Sequence, residues 1–100
     1  GEDYIKMQNA ADLVEKPMVI QTKDSVEVKF PSSMNLQEIK GTVSFYRPSN
    51  KKLDFQVPIS LSKPSLLIPK LNLVGGRWDI FIDWEYQSKS YKMKETIYIN

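Results

Sequence analysis

Two neighbouring stretches decide the fold: residues 77–86 read RWDIFIDWEY, and residues 91–99 read YKMKETIYI. In the first stretch, large apolar side chains occupy every second position: Trp78, Ile80, Ile82, Trp84 and Tyr86. Strict alternation of apolar and polar residues is typical of a β-strand with one face against a core. The second stretch alternates in the same way, so the two are expected to form an antiparallel hairpin.

The linker between the two stretches determines how they pair. With residues 87–90 as the loop, position 84 pairs with 93, position 80 with 97 and position 78 with 99. This register sets Glu85 opposite Lys92 and Asp83 opposite Lys94, and facing residues of opposite charge stabilise an antiparallel pair. We therefore expect two ion pairs on the outer face of the hairpin.

Shorter alternating or apolar stretches precede the hairpin, separated by segments rich in Pro, Gly, Ser and Asn. They are residues 18–20, 26–30, 39–46, 53–61 and 66–68. Together with the hairpin they make about seven strands, the signature of an all-β, immunoglobulin-like two-sheet β-sandwich. A βαβ fold is excluded, because no connecting segment is long and periodic enough for a crossover helix.

Two residues break the pattern of their strands. Pro58 has no backbone N–H to donate, so its strand should lie at a sheet edge or carry a bulge there. Glu95 falls on the inner face between Met93 and Ile97, where an isolated buried carboxylate is costly. We expect a β-bulge or a strand end to return Glu95 to solvent; the alternative is that Arg77, after Gly75-Gly76, reaches it.

The first residues differ from the rest of the chain in composition and in the spacing of their apolar side chains. Residues 2–15 contain no Gly or Pro, and side chains recur in them at near-helical spacing: Tyr4, Met7, Ala11 and Val14. Pro17 ends this segment, because proline disfavours helix in the residue before it. We therefore expect a short N-terminal helical segment over residues 1–16 and a β-sandwich domain over residues 17–100.

The composition excludes most kinds of catalysis. The 100 residues include no cysteine and no histidine, which removes thiolate nucleophiles, disulfides, the commonest general base and the commonest metal ligand. A net charge of +2 with scattered lysines does not favour nucleic acid as a partner. No apolar run approaches the roughly 18 residues that a membrane span needs.

Two short motifs, Tyr46-Arg47-Pro48-Ser49 and Gly75-Gly76-Arg77-Trp78, resemble the FixH family. The similar stretches extend over nearly the whole chain: Phe45–Ser49, Asp54, Leu61, Leu73–Trp78 and Asp83–Tyr86. Glu2-Asp3-Tyr4 resembles the acidic, tyrosine-containing segment that the family carries just after its transmembrane helix.

The resemblance implies a non-enzymatic assembly protein that helps the maturation or copper supply of a cbb-type haem–copper cytochrome oxidase through protein–protein contacts. It further implies an inner-membrane location, a transmembrane anchor before residue 1 and a domain that faces the periplasm. Oxidase subunits or a copper-transporting ATPase are the implied partners, and no cofactor is expected. The alternative is an accessory immunoglobulin-like module of a secreted or surface protein, binding peptide or glycan.

Neither a metal site nor a catalytic site is expected. The soft metal ligands are limited to four methionines with no Met-x-x-Met cluster, and methionine more often fills gaps in a core: Met7, Met18, Met34 and Met93. A direct Cu(I) chaperone is therefore a third hypothesis, weaker than the other two. Asp79, Asp83 and Glu85 share a strand face, but lysines opposite them favour surface ion pairs over a glycosidase-like carboxylate pair.

Four residues are the candidates for partner binding. Phe81 and Tyr98 lie on the face opposite the predicted core and are diagonal neighbours in the register above. Two such aromatic residues form a docking patch or lie beneath the N-terminal helix. Arg47, in a rigid basic loop with Lys51 and Lys52, and Arg77, after the glycine pair, are the candidate cationic contacts.

Overall fold

Seven strands and one α-helix make up the structure, a computed structural model that describes residues 1–100. In chain order the elements are α1 (Glu2–Ala11), β1 (Met18–Gln21), β2 (Ser25–Lys29), β3 (Lys40–Tyr46), β4 (Phe55–Ile59), β5 (Ser65–Pro69), β6 (Gly76–Tyr86) and β7 (Lys89–Ile99). Single 3-10 turns at Leu36–Glu38, Lys51–Leu53 and Lys70–Asn72 lie within the connecting loops.

The strands form two antiparallel sheets, which confirms the predicted β-sandwich with a short N-terminal helix. One sheet has three strands in the order β1-β2-β5, and the other has four in the order β4-β3-β6-β7. In constant-type immunoglobulin domains the fourth strand joins the first sheet, whereas here β4 pairs with β3. Pro58 lies in β4 at the edge of its sheet, as predicted.

The β6–β7 hairpin closes more tightly than the sequence suggested. Gln87 and Ser88 alone form the turn, with φ angles of 51° and 64°. Positive φ at both central residues is the mark of a type I′ turn, whose twist matches that of the flanking strands. The predicted register is therefore wrong by two residues, and Trp84 pairs with Tyr91 rather than with Met93.

The two-residue shift leaves each side chain of β6 and β7 on its predicted face of the sheet but changes the residue that it faces on the other strand. Asp83 faces Lys92, and Phe81 rather than Asp83 faces Lys94. Tyr98 faces Arg77 and lies four positions along β7 from Lys94, the residue opposite Phe81. The predicted diagonal contact between Phe81 and Tyr98 is therefore wrong. The predicted pairing of Glu85 with Lys92 is also wrong, since Glu85 faces Ser90.

Glu95 reaches solvent without a bulge. The β6–β7 ladder is continuous from Gly76 to Tyr86, and Glu95 pairs with the buried Ile80. Its carboxylate is nevertheless exposed, because β7 is an edge strand and its side chain can lean outwards. The expected exposure is confirmed, and the expected bulge or strand end is wrong.

Large side chains from both sheets fill the space between them. The fully buried ones are Trp78, Phe30, Phe45, Ile80, Ile82, Val26, Val28 and Val43. Phe45 stacks on Phe55 with ring centroids 4.7 Å apart, and Trp84 stacks on Tyr91 at 5.1 Å. Burial of this apolar surface is the main stabilising contribution to the fold.

Helix α1 lies against the outer edge of the four-stranded sheet. Ala10 is 1% exposed and belongs to the core, and Leu13 packs against the same core. Asn9 donates from Nδ2 to the carbonyl oxygen of Ser90 at 2.9 Å, which covers part of the free edge of β7. The helix therefore shares its core with the sandwich.

The burial of Ala10 predicts a large difference between two adjacent alanines. Ala10→Arg should lower the free energy of unfolding by about 3 kcal/mol, because it overpacks the core and buries a charge. Ala11→Arg should change it by less than about 0.5 kcal/mol, because Ala11 is exposed. Urea unfolding of both variants measures the difference, and equal effects would contradict the helix position.

Candidate partner-binding surface

The outer face of the four-stranded sheet carries an aromatic residue at its centre. Phe81 points away from the core, because its neighbours Ile80 and Ile82 are fully buried on the other side of β6. The ring of Tyr46 packs edge-on against Phe81, with centroids 5.4 Å apart. The face therefore presents a half-buried phenylalanine flanked by a tyrosine that is 39% exposed.

Two lysines of β7 flank the same ring. The ammonium groups of Lys92 and Lys94 lie 5.1 Å and 5.7 Å from the centroid of Phe81. Both distances are within the range in which a cation is attracted to an aromatic face. Phe81 is thus contacted by one tyrosine and two lysines.

Lys92 also connects this face to α1. Its Nζ donates to Oδ2 of Asp3 at 3.1 Å, and Asp83 faces it across the ladder. Burial on its own would lower the pKa of Lys92, but Asp3 and Asp83 outweigh this effect and raise the pKa above its ordinary value. Lys92 is therefore charged throughout the physiological pH range.

A second polar cluster lies further along β6, towards its first residue. Arg77 contacts Oδ1 of Asp79 through Nε at 3.1 Å, and Thr96 donates to the same oxygen at 2.9 Å. Burial would raise the pKa of Asp79, but the hydrogen bonds from Arg77 and Thr96 outweigh it and lower the pKa. Asp79 is therefore a stable carboxylate, the opposite of what a general acid needs.

Tyr98 is the most exposed aromatic residue on this face. Its side chain is 65% exposed and makes no aromatic pair, while its carbonyl oxygen accepts a hydrogen bond from Gln21 Nε2 at 3.2 Å. The Arg77–Asp79 ion pair lies between Tyr98 and the Phe81 cluster along the ladder. The structure thus places Phe81, Arg77 and Tyr98 on one face, with the two aromatic residues apart.

Arg47 has a different position from the other three candidates. Its guanidinium donates to the carbonyl oxygen of Arg77 at 2.8 Å and to that of Gly75 at 2.7 Å, and lies 5.7 Å from the Trp78 ring. The backbone N–H of Arg47 donates to Asp54 Oδ1 at 2.7 Å. Arg47 thus joins two loops of its own chain, and its guanidinium is engaged internally.

The approach of Arg47 depends on a glycine. Gly76 has φ +116°, and a Cβ at this position would lie 2.5 Å from Nη1 of Arg47. The two motifs that carry the family resemblance therefore contact each other in the fold. Sequence reasoning did not find this contact, because the motifs lie about thirty positions apart and share no periodic pattern.

Two of the four methionines lie together in a groove whose charged residues disfavour copper. Met7 and Met93 line one groove of about 350 Å³ between α1 and β7, but Lys16, Lys92 and Lys94 line it too. Three ammonium groups disfavour a bound cation by like-charge repulsion. No cluster of three or more His, Cys, Asp or Glu residues is present.

The Arg47–Gly76 contact predicts a contrast between adjacent glycines. Gly76→Ala should lower the free energy of unfolding by about 2–3 kcal/mol, since the new Cβ meets the guanidinium and φ is unfavourable for alanine. Gly75→Ala is the matched control, because its Cβ would meet backbone atoms of Ile99 and Asn100 at ordinary distances of 3.5 Å or more. Chemical denaturation measures the free energy of unfolding of both variants. An effect of Gly75→Ala as large as that of Gly76→Ala would contradict the contact.

Comparison with known proteins gives one match. The FixH family model matches residues 1–98, which include α1 and all seven strands except the last residue of β7. No curated protein and no solved structure matches the chain. Members of the matched family are generally non-catalytic, membrane-associated accessory proteins, and within these 100 residues no helix is long and apolar enough to cross a membrane. Since the match covers almost every residue, the chain belongs to the FixH family.

Proposed function

We propose that this protein is a non-enzymatic assembly factor for a cbb-type haem–copper cytochrome oxidase, acting by protein–protein contact at the periplasmic side of the inner membrane. Membership of the FixH family supports a role in oxidase-related assembly. The observation that carries the proposal is the position of Phe81. It is a large aromatic residue in the middle of a sheet face that turns away from the core.

The chemistry of this face suits a protein partner. Exposed aromatic residues are enriched in protein interfaces and often dominate their binding energy. Tyr46 and Tyr98 supply exposed aromatic residues on one face, and Phe81 adds a half-buried one. Arg77 is paired with Asp79 and Lys92 with Asp3, whereas Lys94 makes no salt bridge. A partner that offers an apolar surface with a carboxylate near Lys94 fits this arrangement.

Proximity explains how a weak contact can suffice. A membrane anchor before residue 1 would hold the domain beside other membrane proteins, and short tethers give effective concentrations of about 1 mM. Oxidase subunits and the copper-transporting ATPase are the proposed partners. The sandwich would hold them together and needs no reactive group of its own.

The docking face is tested by removing its two aromatic residues separately. Tyr98→Ser and Phe81→Ser should each weaken partner capture about tenfold or more, as truncation of an aromatic hot spot does. Leu67→Ser is the matched control, because Leu67 is 58% exposed on the other sheet and faces away from the core. The measurement is cbb-type oxidase activity in membranes of a deletion strain that carries each variant.

Thermal unfolding of the same variants separates loss of binding from loss of fold. Tyr98→Ser should keep the parent melting temperature, since its side chain is 65% exposed. If Tyr98→Ser and Phe81→Ser both assemble the oxidase as well as Leu67→Ser does, this face is not the contact surface.

Added copper distinguishes two ways in which the protein could support assembly. A deletion strain should lose oxidase activity, and contact through the sandwich surface predicts that copper in the medium does not restore it. Restored activity would place the protein in copper supply instead. Unchanged activity in the deletion strain would contradict the proposed function.

A further inference from the structure

Three loops meet at one end of the sandwich, which we call the loop end: residues 22–24, 47–54 and 70–75. The register places them together, because Tyr46 pairs with Asp79 near the first residue of β6, and Ser25 pairs with Pro69. Two contacts join the loops: the N–H of Lys70 donates to the carbonyl of Asp24 at 2.9 Å, and Arg47 donates to that of Gly75. The hairpin turn of β6 and β7 lies at the opposite end.

The loop end carries the excess positive charge of the protein. Its loops hold five cationic side chains and two carboxylates, a net charge of +3, whereas the whole chain has +2. The cations are Lys23, Arg47, Lys51, Lys52 and Lys70, and the carboxylates are Asp24 and Asp54. The remainder of the molecule is therefore slightly negative.

Aliphatic side chains protrude among these cations. Leu71 is 98% exposed and Val74 is 49% exposed, both in the loop that follows β5. Lys23, Lys70 and Leu71 line one open groove of about 730 Å³ beside the last residues of β7. A leucine that the fold leaves almost wholly in water, next to two lysines, has no role in the core.

We propose that the loop end docks on an anionic phospholipid surface, with Leu71 inserted at the level of the headgroups and lysines against the phosphates. Aliphatic side chains beside lysines are the pattern of an interfacial membrane contact. Each lysine near an anionic bilayer strengthens binding about fivefold. This docking is separate from the partner-binding face, which lies on the outside of the four-stranded sheet.

The residue types favour lipid over an acidic protein. Arginine recognises carboxylates through two parallel hydrogen bonds, and it dominates protein interfaces together with tyrosine and tryptophan. At the loop end Arg47 is engaged by backbone carbonyls, and the adjacent Arg77 is paired with Asp79. The available groups are lysines and aliphatic side chains, which bind a fluid charged surface without a fixed geometry.

Vesicle sedimentation tests the proposal on the chain of residues 1–100. The protein should sediment with phosphatidylcholine vesicles that contain about 30% phosphatidylglycerol, and not with phosphatidylcholine alone. Binding should weaken strongly as salt rises from about 0.05 M to about 0.5 M, because the charges are exposed. The double variants Lys23→Gln/Lys70→Gln and Lys51→Gln/Lys52→Gln should each lower the partition coefficient about 25-fold.

Matched controls lie at the opposite end of the sandwich. Lys63→Gln/Lys89→Gln removes two exposed lysines there and should change binding less than about twofold. Leu71→Ser should weaken binding about tenfold. Val14→Ser should not, although Val14 is 99% exposed.

Insertion into the bilayer is measured by the fluorescence of a tryptophan placed at position 71. Leu71→Trp should show a blue-shifted emission when phosphatidylglycerol vesicles are added, over a constant background from the buried Trp78 and Trp84. No sedimentation with anionic vesicles, or equal losses in the control variants, would overturn the proposal. Retention on polyglutamate without binding to vesicles would overturn it in favour of an acidic protein.

Discussion

The contact between Arg47 and the backbone around Gly76 is the constraint on which both proposed surfaces depend. It joins the β3–β4 loop to the first residues of β6, and Trp78 Nε1 secures the same segment by donating to Val74 O at 2.9 Å. The start of β6 sets the position of Arg77 and, further along, of Phe81. Loss of the guanidinium would leave carbonyls without this charge-assisted partner, at a cost of about 1–3 kcal/mol. The same contact holds the loop end together.

The tight hairpin turn and α1 together produce the outer face. The turn at Gln87 and Ser88 brings Lys92 opposite Asp83 and Lys94 opposite Phe81. Asp3 of α1 then binds Lys92, so the helix stabilises the position of a side chain that lies over the Phe81 ring. Because Ala10 anchors the helix in the core, packing between the sheets is coupled to the arrangement of the outer face.

The sequence predicted the faces of the strands well and their neighbours poorly. Alternation places Phe81 and Tyr98 on the outside in any register that shifts by two residues, so their faces were predictable and their mutual contact was not. A turn of two residues with positive φ was the missing information, since neither Gln87 nor Ser88 is the glycine or asparagine that usually marks a type I′ turn. Arg47 gave no periodic signal either, because an arginine in a loop has the same pattern whether it faces solvent or a backbone carbonyl.

The two proposed surfaces share one strand, and this fixes how they can be used together. Tyr98 lies next to Ile99 at the loop end of β7, whereas Phe81 lies opposite Lys94, about 13 Å further along the ladder. When the loop end docks on a bilayer, the strands of the outer face run away from the membrane surface. Tyr98 is then nearer the lipid than Phe81. A partner that contacts both residues must then present its surface within a few residue lengths of the membrane. A membrane-bound partner of the kind proposed above meets this condition, so the two proposals are compatible with one orientation of the domain.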